Sequence, residues 1–148
     1  MDVSTLRGDA HKVLASGEDR KWDELAKLLA DTPEMLDESM TKIEAFTAEA
    51  GRPAGTVQGG LFIFTCVHED RATALDMANQ QLSKQYNQDF SKMVAKYTIA
   101  GSPDDCVARL REYIDAGART IMFSQGCPPE YAEENTRLIA EGILPAFR

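Results

Sequence analysis

The segment that most constrains this chain is a helix-to-strand unit between residues 102 and 123. Ser102 is a favourable N-cap, because its hydroxyl can accept a hydrogen bond from an unpaired backbone N–H, and Pro103 follows at the first helical position. Apolar residues then recur at helical spacing, and Gly117 fits a left-handed C-terminal cap. Residues 119–123 are typical of a strand. A helix that leads directly into a strand favours a parallel α/β architecture.

A second unit with the same plan precedes the first one. Thr32-Pro33-Glu34 repeats the cap, proline and acid, and the predicted helix ends at Ala50-Gly51. A strand is predicted over 57–67, and its centre, Leu61–Val67, is almost continuously apolar. Such a run is typical of a strand that is buried on both faces, as in parallel sheets covered by helices. Two helix-strand units in succession favour an α/β fold over a helical bundle.

The number of predicted strands is small for the length of the chain. Besides 57–67 and 119–123, a weaker strand pattern covers 97–100, and helices are predicted over 9–30, with a break at Gly17, 70–87 and 90–96. Two buried parallel strands leave their outer edges unpaired. A closed eight-stranded βα barrel takes about 250 residues, so this chain cannot close one alone. The chain therefore belongs to a larger barrel, completes itself by association, or has a small sheet covered in another way.

Composition limits the partners and the setting of the protein. The 148 residues carry a formal net charge of -8, which argues against nucleic acid as the main partner, since phosphate binding needs clustered Lys and Arg. No apolar run approaches the roughly 20 residues of a membrane span, and residues 1–8 lack the apolar core of a secretory signal. Three cysteines without metal-type spacing indicate a reduced, cytoplasmic protein without a metal site. We expect one domain over 1–148.

Two places qualify as a candidate site, because the carboxyl ends of parallel strands line the ligand crevice. Thr65 and Cys66 end the first strand, and Ser124, Gln125 and Gly126 end the second. Ser124 and Gln125 can hydrogen-bond a heterocycle or a phosphate, and Gly126 lets the backbone approach a ligand closely. The alternative is that residues 124–129 are simply a strand-to-helix connection.

The other reactive side chains give no catalytic assignment. His68 and His11 are more typical of surface histidines than of a general base. Cys66 and Cys106 are expected to be small core residues, since burial raises a thiol pKa and makes the thiol inert. Cys127 falls in the loop after the second strand, where we expect it to be exposed and oxidisable. Catalytic residues therefore stay unknown at this point.

Residues 99–110, Ile-Ala-Gly-Ser-Pro-Asp-Asp-Cys-Val-Ala-Arg-Leu, with Tyr-Ile-Asp-Ala-Gly-Ala at 113–118, resemble the C-terminal signature of the bacterial luciferase-like monooxygenase family. The tail Ile-Leu-Pro-Ala-Phe-Arg at 143–148 is similar to the usual ending of the family. Glu-Ala-Gly-Arg-Pro at 49–53 resembles the turn before its seventh strand. The likeness covers the chain from about Thr32 to its end, whereas residues 1–31 match poorly and form a helical lead-in.

This resemblance implies a helix-rich partial (β/α)8 TIM barrel that holds only the C-terminal strands and helices. Leu61–Val67 would be the seventh strand and Thr120–Phe123 the eighth. The family uses FMN or a deazaflavin for hydride transfer or oxygen activation on a small organic substrate. By strand position, the cofactor-facing residues would be Thr65, Cys66, Ser124, Gln125 and Gly126.

Two functions from different classes follow. In the first, the chain is the C-terminal segment of a luciferase-like flavin-dependent oxidoreductase or monooxygenase, and it works with a complementary barrel half or as a homo-oligomer. In the second, it is a non-catalytic remnant without cofactor, which acts as an interaction or oligomerising protein through an exposed sheet edge. Cofactor titration separates the two.

Overall fold

A computed structural model of the chain describes residues 32–148, and these fall in two compact units, 32–57 and 58–148. The assignment of one domain to 1–148 stays a prediction. The helices predicted over 9–30, with Gly17, Trp22 and His11, lie outside the described residues.

In the first unit the cap-and-proline signal begins a helix as predicted. Helix α1 runs over Pro33–Glu49, and the Thr32 side chain accepts a hydrogen bond from the backbone N–H of Met35 at 3.4 Å. Ala50 is the C-cap of this helix, and Gly51 after it takes a φ of 66°, a conformation that favours glycine. Start and stop of this helix are therefore confirmed.

The second unit is built on a three-stranded parallel sheet in the order β2-β1-β3. Its strands are β1 (Gly59–Val67), β2 (Ile99–Gly101) and β3 (Ala118–Gln125). Strand β1 pairs with β3 along most of its length and with β2 only over its last three residues. Both firmly predicted strands and the weaker one are confirmed, and the mixed α/β class with them.

Four α-helices and three shorter helical turns surround this sheet. They are α2 (Arg71–Tyr86), α3 (Val94–Tyr97), α4 (Pro103–Asp115) and α5 (Ala132–Leu138), with 3₁₀ turns at Pro129–Tyr131 and Leu144–Phe147 and a π-turn at Ile139–Ile143. Ser102 caps α4 in a reciprocal capping box with Asp105, and Gly117 takes a φ of 110° where the left-handed cap was expected. None of the helices in residues 32–148 is both long and apolar enough to cross a membrane.

Helices pack on both faces of the sheet. Alternation along β1 places Leu61, Ile63 and Thr65 on one side, which we call the α4 face, and Phe62, Phe64 and Cys66 on the other, which we call the α2 face. Cys66 packs in a buried cluster with Ala74 and Ala78 of α2. On the α4 face, a groove of about 350 Å³ lies among apolar side chains of α4, β3 and the last 3₁₀ turn.

The cover on the α2 face is incomplete, so the expected burial of both faces of Leu61–Val67 is only partly right. Thr65, Cys66 and Val67 are fully buried, but Phe62 is 58% exposed and Met122, beside it in register, is 61% exposed. Helix α2 explains the difference. Its Ala74 and Ala78 pack against Cys66, and its Tyr86, 50% exposed, contacts Phe64 with ring centroids 6.2 Å apart. We call Phe62 and Met122 the uncovered patch.

Candidate ligand site at the carboxyl end of the sheet

The structure brings the five predicted site residues together at one end of the sheet. Thr65 is in register with Gln125, and Ser124 is opposite Phe64, one residue earlier. The N–H of Gly126 donates to the carbonyl oxygen of Thr65 at 3.0 Å. Their adjacency follows from the parallel pairing of β1 and β3, whereas their role toward a cofactor stays a prediction.

The five residues differ in what they can offer a ligand. The side chains of Thr65 and Cys66 are fully buried, and Thr65 donates its hydroxyl to the carbonyl oxygen of Ile63 at 3.4 Å. Ser124 is partly buried, and Gln125 is exposed. Ser124 and Gln125 are therefore the two predicted residues whose side chains reach the surface.

A buried asparagine that the sequence analysis missed organises this end of the sheet. The Oδ1 atom of Asn135 accepts from the N–H of Val67 at 2.7 Å, and its Nδ2 donates to the carbonyl oxygen of Thr65 at 2.9 Å. The amide thus pairs with β1 beyond the point where β3 ends. The sequence does indicate that Asn135 is buried, since it lies four and eight residues before Ile139 and Ile143, which are buried on the same helical face.

Asn135 also forms a hydrogen bond with Gln125, and this bond makes it part of the candidate site. Its Nδ2 donates to Oε1 of Gln125 at 2.8 Å, and Nε2 of Gln125 donates to the hydroxyl of Thr136 at 2.9 Å. Asn135 is 0% exposed, so its polar groups depend wholly on these protein partners.

The loop after β1 is held by two aromatic or heteroaromatic side chains. Tyr131 donates its hydroxyl to the carbonyl oxygen of Val67 at 3.0 Å, and burial raises the pKa of this phenol. The partly exposed His68 lies near it, with ring centroids 6.0 Å apart, and its Nδ1 accepts from the N–H of Asp70 at 3.0 Å. Through this bond His68 shapes the turn that begins α2.

All three cysteines are free thiols in buried positions. Burial raises the pKa of Cys66 and of Cys106 to about 12, as expected for core thiols. The expectation for Cys127 is wrong: only 2% of it is exposed, and burial raises its pKa as well. The reason is Gly126, whose contact with Thr65 draws the chain back so that Cys127 joins the cluster around Cys66.

Other candidate sites in residues 32–148 are weaker. No group of three or more His, Cys, Asp or Glu side chains in this part of the chain is placed to hold a metal ion. The groove on the α4 face offers one charged side chain, Arg119, whose guanidinium already donates to the carbonyl oxygens of Ile114 and Ala118 at 2.8 and 2.9 Å.

Comparison with known proteins finds similarity in structure only. No protein-family model matches the sequence, and no curated protein matches it. The fold is similar to that of the coenzyme F420-dependent tetrahydromethanopterin reductase from Methanopyrus kandleri, at a TM-score of 0.58 and 20% identity, over 79% of this chain and 43% of the reductase.

Two further structures share the fold. An F420-dependent secondary alcohol dehydrogenase, solved with an F420–acetone adduct, matches 80% of this chain and 41% of its own at a TM-score of 0.64 and 16% identity. The monooxygenase RslO1 from Streptomyces bottropensis matches 80% and 40% at 0.60 and 18%. The chain thus spans about two fifths of the length of these proteins. The resemblance to luciferase-like enzymes is confirmed as a likeness in fold, at identities of 16–20%.

Proposed function

We propose that this chain is the C-terminal portion of a luciferase-like oxidoreductase, a partial (β/α)8 barrel in which the carboxyl ends of β1 and β3 face a redox cofactor. The observation that carries the proposal is the shared fold over about four fifths of the chain with enzymes described as F420-dependent. The position of Ser124 and Gln125 supports it, since cofactors of α/β enzymes bind at the carboxyl ends of strands.

A deazaflavin is the cofactor we propose first, with FMN as the second choice. Two of the structures compared above are F420-dependent enzymes, and coenzyme F420 is a deazaflavin. When bound, such a cofactor supplies hydride transfer, or oxygen activation in the case of a flavin, and the substrate would be a small organic molecule.

The chain's own residues would orient the cofactor rather than react with it. Ser124 and Gln125 present polar groups at the open end of the sheet. Gly126, which carries no side chain, lets its backbone lie close to the backbone of Thr65. The thiol of Cys66 stays protonated and inert in this scheme, because burial raises its pKa to about 12.

The proposed enzyme needs more strands than the described part of the chain contains. In residues 32–148 the sheet has three strands, with β2 and β3 each paired on one side only, and the uncovered patch of Phe62 and Met122 lies on one face. We propose that a second copy or a complementary barrel half covers these features. The three free thiols support a reducing, cytoplasmic setting.

Fluorescence titration of the purified chain with coenzyme F420 and with FMN tests the proposal. We expect saturable binding of one cofactor that weakens in Ser124→Val, because the valine side chain removes a polar group at the open end of the sheet. Thr120→Val is the matched control, since Thr120 is exposed on the same strand and face but lies four residues before Ser124. No saturable binding of either cofactor by the wild type would contradict the proposal for this chain.

The alternative is a non-catalytic protein that binds another protein through the uncovered patch. The specific observation in its favour is that two large apolar side chains, Phe62 and Met122, are adjacent and more than half exposed. The same titration discriminates, because the alternative requires no cofactor binding, and mass measurement in solution then shows whether the patch is used.

A further inference from the structure

The side-chain amide of Asn135 can take only one orientation. Its Oδ1 faces the backbone N–H of Val67, which can only donate, at 2.7 Å. Its Nδ2 faces the backbone carbonyl of Thr65, which can only accept, at 2.9 Å. Rotating the amide by half a turn would break both bonds in a site that excludes water, so β1 itself determines which atom is oxygen and which is nitrogen.

This orientation determines the orientation of Gln125. The second hydrogen on Nδ2 of Asn135 requires an acceptor, so the atom of Gln125 at 2.8 Å is its Oε1. The Nε2 of Gln125 then faces Thr136 at 2.9 Å, and the hydroxyl of Thr136 accepts this bond because its own hydrogen is donated to the carbonyl oxygen of Ala132 at 2.8 Å. A chain of hydrogen bonds with fixed donors and acceptors thus runs from the backbone of β1 through Asn135 and Gln125 to Thr136 at the surface, and we call it the relay.

One hydrogen-bonding group of Gln125 is left over. Its Oε1 has two acceptor positions, and these are used by Asn135 and by the thiol of Cys127, whose Sγ lies 3.4 Å away. Its Nε2 carries two hydrogens, of which Thr136 takes one. Because the Gln125 side chain is exposed, the second N–H is available at the carboxyl end of the sheet.

We propose that Asn135 fixes Gln125 as a hydrogen-bond donor to an acceptor atom of the ligand that binds at this end of the sheet. The inference rests on the proposed function and specifies the chemistry of the contact. The acceptor is a carbonyl oxygen or an unprotonated nitrogen of an uncharged heterocycle. A phosphate is a poorer match, because Arg137, the cation beside the relay on α5, is held by Glu134 and Glu141 at 2.6 Å each. Asn135 is a positioning residue, and Gln125 is the ligand-binding one.

The test replaces the donor without changing its shape. Gln125→Glu still accepts from Asn135 and Cys127, but it presents a carboxylate oxygen where the N–H was. Gln88→Glu, at an exposed position on the loop after α2, introduces the same charge and serves as the control. The probes are coenzyme F420, riboflavin, which has the heterocycle without phosphate, and inorganic phosphate, each titrated at pH 7.

We expect Gln125→Glu to bind riboflavin and coenzyme F420 on the order of 10- to 100-fold more weakly than the control, because a carboxylate oxygen and the acceptor atom of the ligand would then face each other without a hydrogen between them. Thermal midpoints should be alike in the two variants, since the bond to Thr136 that Gln125→Glu also loses is exposed, and the Thr136 hydroxyl can turn to donate to the new carboxylate. If the wild type binds and both variants bind with the same affinity as each other, the inference is overturned and the proposed function stays intact. Binding of inorganic phosphate that is lost in Gln125→Glu would also overturn it.

A second measurement examines the relay in the ligand-free wild type. In a ¹⁵N-edited NMR spectrum, the side-chain NH₂ of Gln125 should show a nuclear Overhauser contact to Thr136 and none to Cys127, and both amide protons of Asn135 should exchange slowly. A contact of the Gln125 NH₂ group to Cys127 instead of Thr136 would contradict the relay. If the wild type binds neither riboflavin nor coenzyme F420, the proposed function fails for this chain, and the ligand assignment to Gln125 fails with it.

Discussion

At the scale of single residues, the carboxyl end of the sheet depends on a glycine that no side chain can replace without strain. A Cβ atom built on Gly126 would lie 3.0 Å from the backbone nitrogen of Thr65 and 3.2 Å from its carbonyl carbon and oxygen. These are main-chain atoms of the central strand, so they cannot rotate away as a flexible side chain would. The close approach is what lets Gly126 donate to Thr65 at 3.0 Å.

We therefore expect Gly126→Ala to lower the free energy of unfolding by about 1–3 kcal/mol, as overpacked sites do. Gly60→Ala is the control, because a Cβ at Gly60 meets nothing within 4 Å. Replacing that glycine should be neutral or stabilise the protein by about 0.4–1 kcal/mol, through the smaller entropy of the unfolded chain. Urea denaturation monitored by circular dichroism measures both, and equal stabilities of the two variants would contradict this account of Gly126.

At the scale of secondary-structure elements, the sequence predicts best where a signal is local. The caps at Thr32 and Ser102 and the positive-φ glycines Gly51 and Gly117 depend on a few adjacent residues, and all four are confirmed. The adjacency of Thr65 and Gln125 was also predictable, because parallel strands bring their carboxyl ends together.

The predictions that were wrong or missing concern contacts between residues far apart in the chain. Cys127 was expected to be exposed because its loop is polar, but its burial depends on Gly126 approaching Thr65, about 60 positions earlier. Asn135 was missed since its partners Val67 and Gln125 lie in two other elements. Where α2 covers β1 depends likewise on the path of a whole helix, for which the sequence has no local signal.

The cap of α4 carries a prediction that depends on pH. Asp105 accepts hydrogen bonds from the hydroxyl and the N–H of Ser102, at 2.9 and 3.1 Å, and these bonds lower the pKa of its carboxyl group. A carboxylate with a lowered pKa contributes stability above its unfolded pKa of about 3.9, and this contribution is lost as the pH falls through the lower folded value. Acid should therefore weaken α4 below about pH 4.

Ser102→Ala removes the hydroxyl, and with it the bond from the N–H of Asp105 and the bond to the Asp105 carboxylate, whereas the backbone N–H of residue 102 still donates to Asp105. We expect this change to lower the free energy of unfolding by about 1 kcal/mol at pH 7. The loss relative to wild type should shrink as the pH falls below about 4, where Asp105 is protonated in both proteins. Asp104→Asn is the control, because Asp104 lies in the same first turn but outside the capping box. Denaturation curves at several pH values decide the matter, and a difference that stays constant down to pH 2 would rule out the role of Asp105.

At the scale of the whole molecule, the uncovered patch tests the proposed association. Phe62 and Met122 are uncharged and more than half exposed in a chain whose net charge is -8. We expect the double variant Phe62→Ser, Met122→Thr to shift the sedimentation-equilibrium mass of the chain toward that of the monomer. Phe46→Ser is the control, since Phe46 is 41% exposed on α1. A wild type that is already a monomer at high concentration would show that a second copy does not cover the patch.

The buried thiols give the molecule a predicted sensitivity to alkali. Unfolded cysteine has a pKa of about 8.5, whereas Cys66 and Cys106 have values of about 12 in the folded protein. As the pH rises, the unfolded chain releases these protons before the folded protein does. The free energy of unfolding is therefore unaffected by the two thiols below about pH 8. It then declines progressively toward pH 12, at up to about 1.4 kcal/mol per pH unit for each thiol.

We expect the free energy of unfolding to decline between pH 8.5 and 10.5 more steeply in the wild type than in the double variant Cys66→Ala, Cys106→Ala. Tyrosine and lysine side chains also titrate in this range, but they are the same in both proteins, so the difference in slope reports the two thiols. The variant loses small buried groups and will be less stable at pH 7, which leaves the slope unaffected. Parallel declines would mean that both thiols titrate at ordinary values, and hence that water reaches Cys106 and the cluster of Cys66 with Ala74 and Ala78.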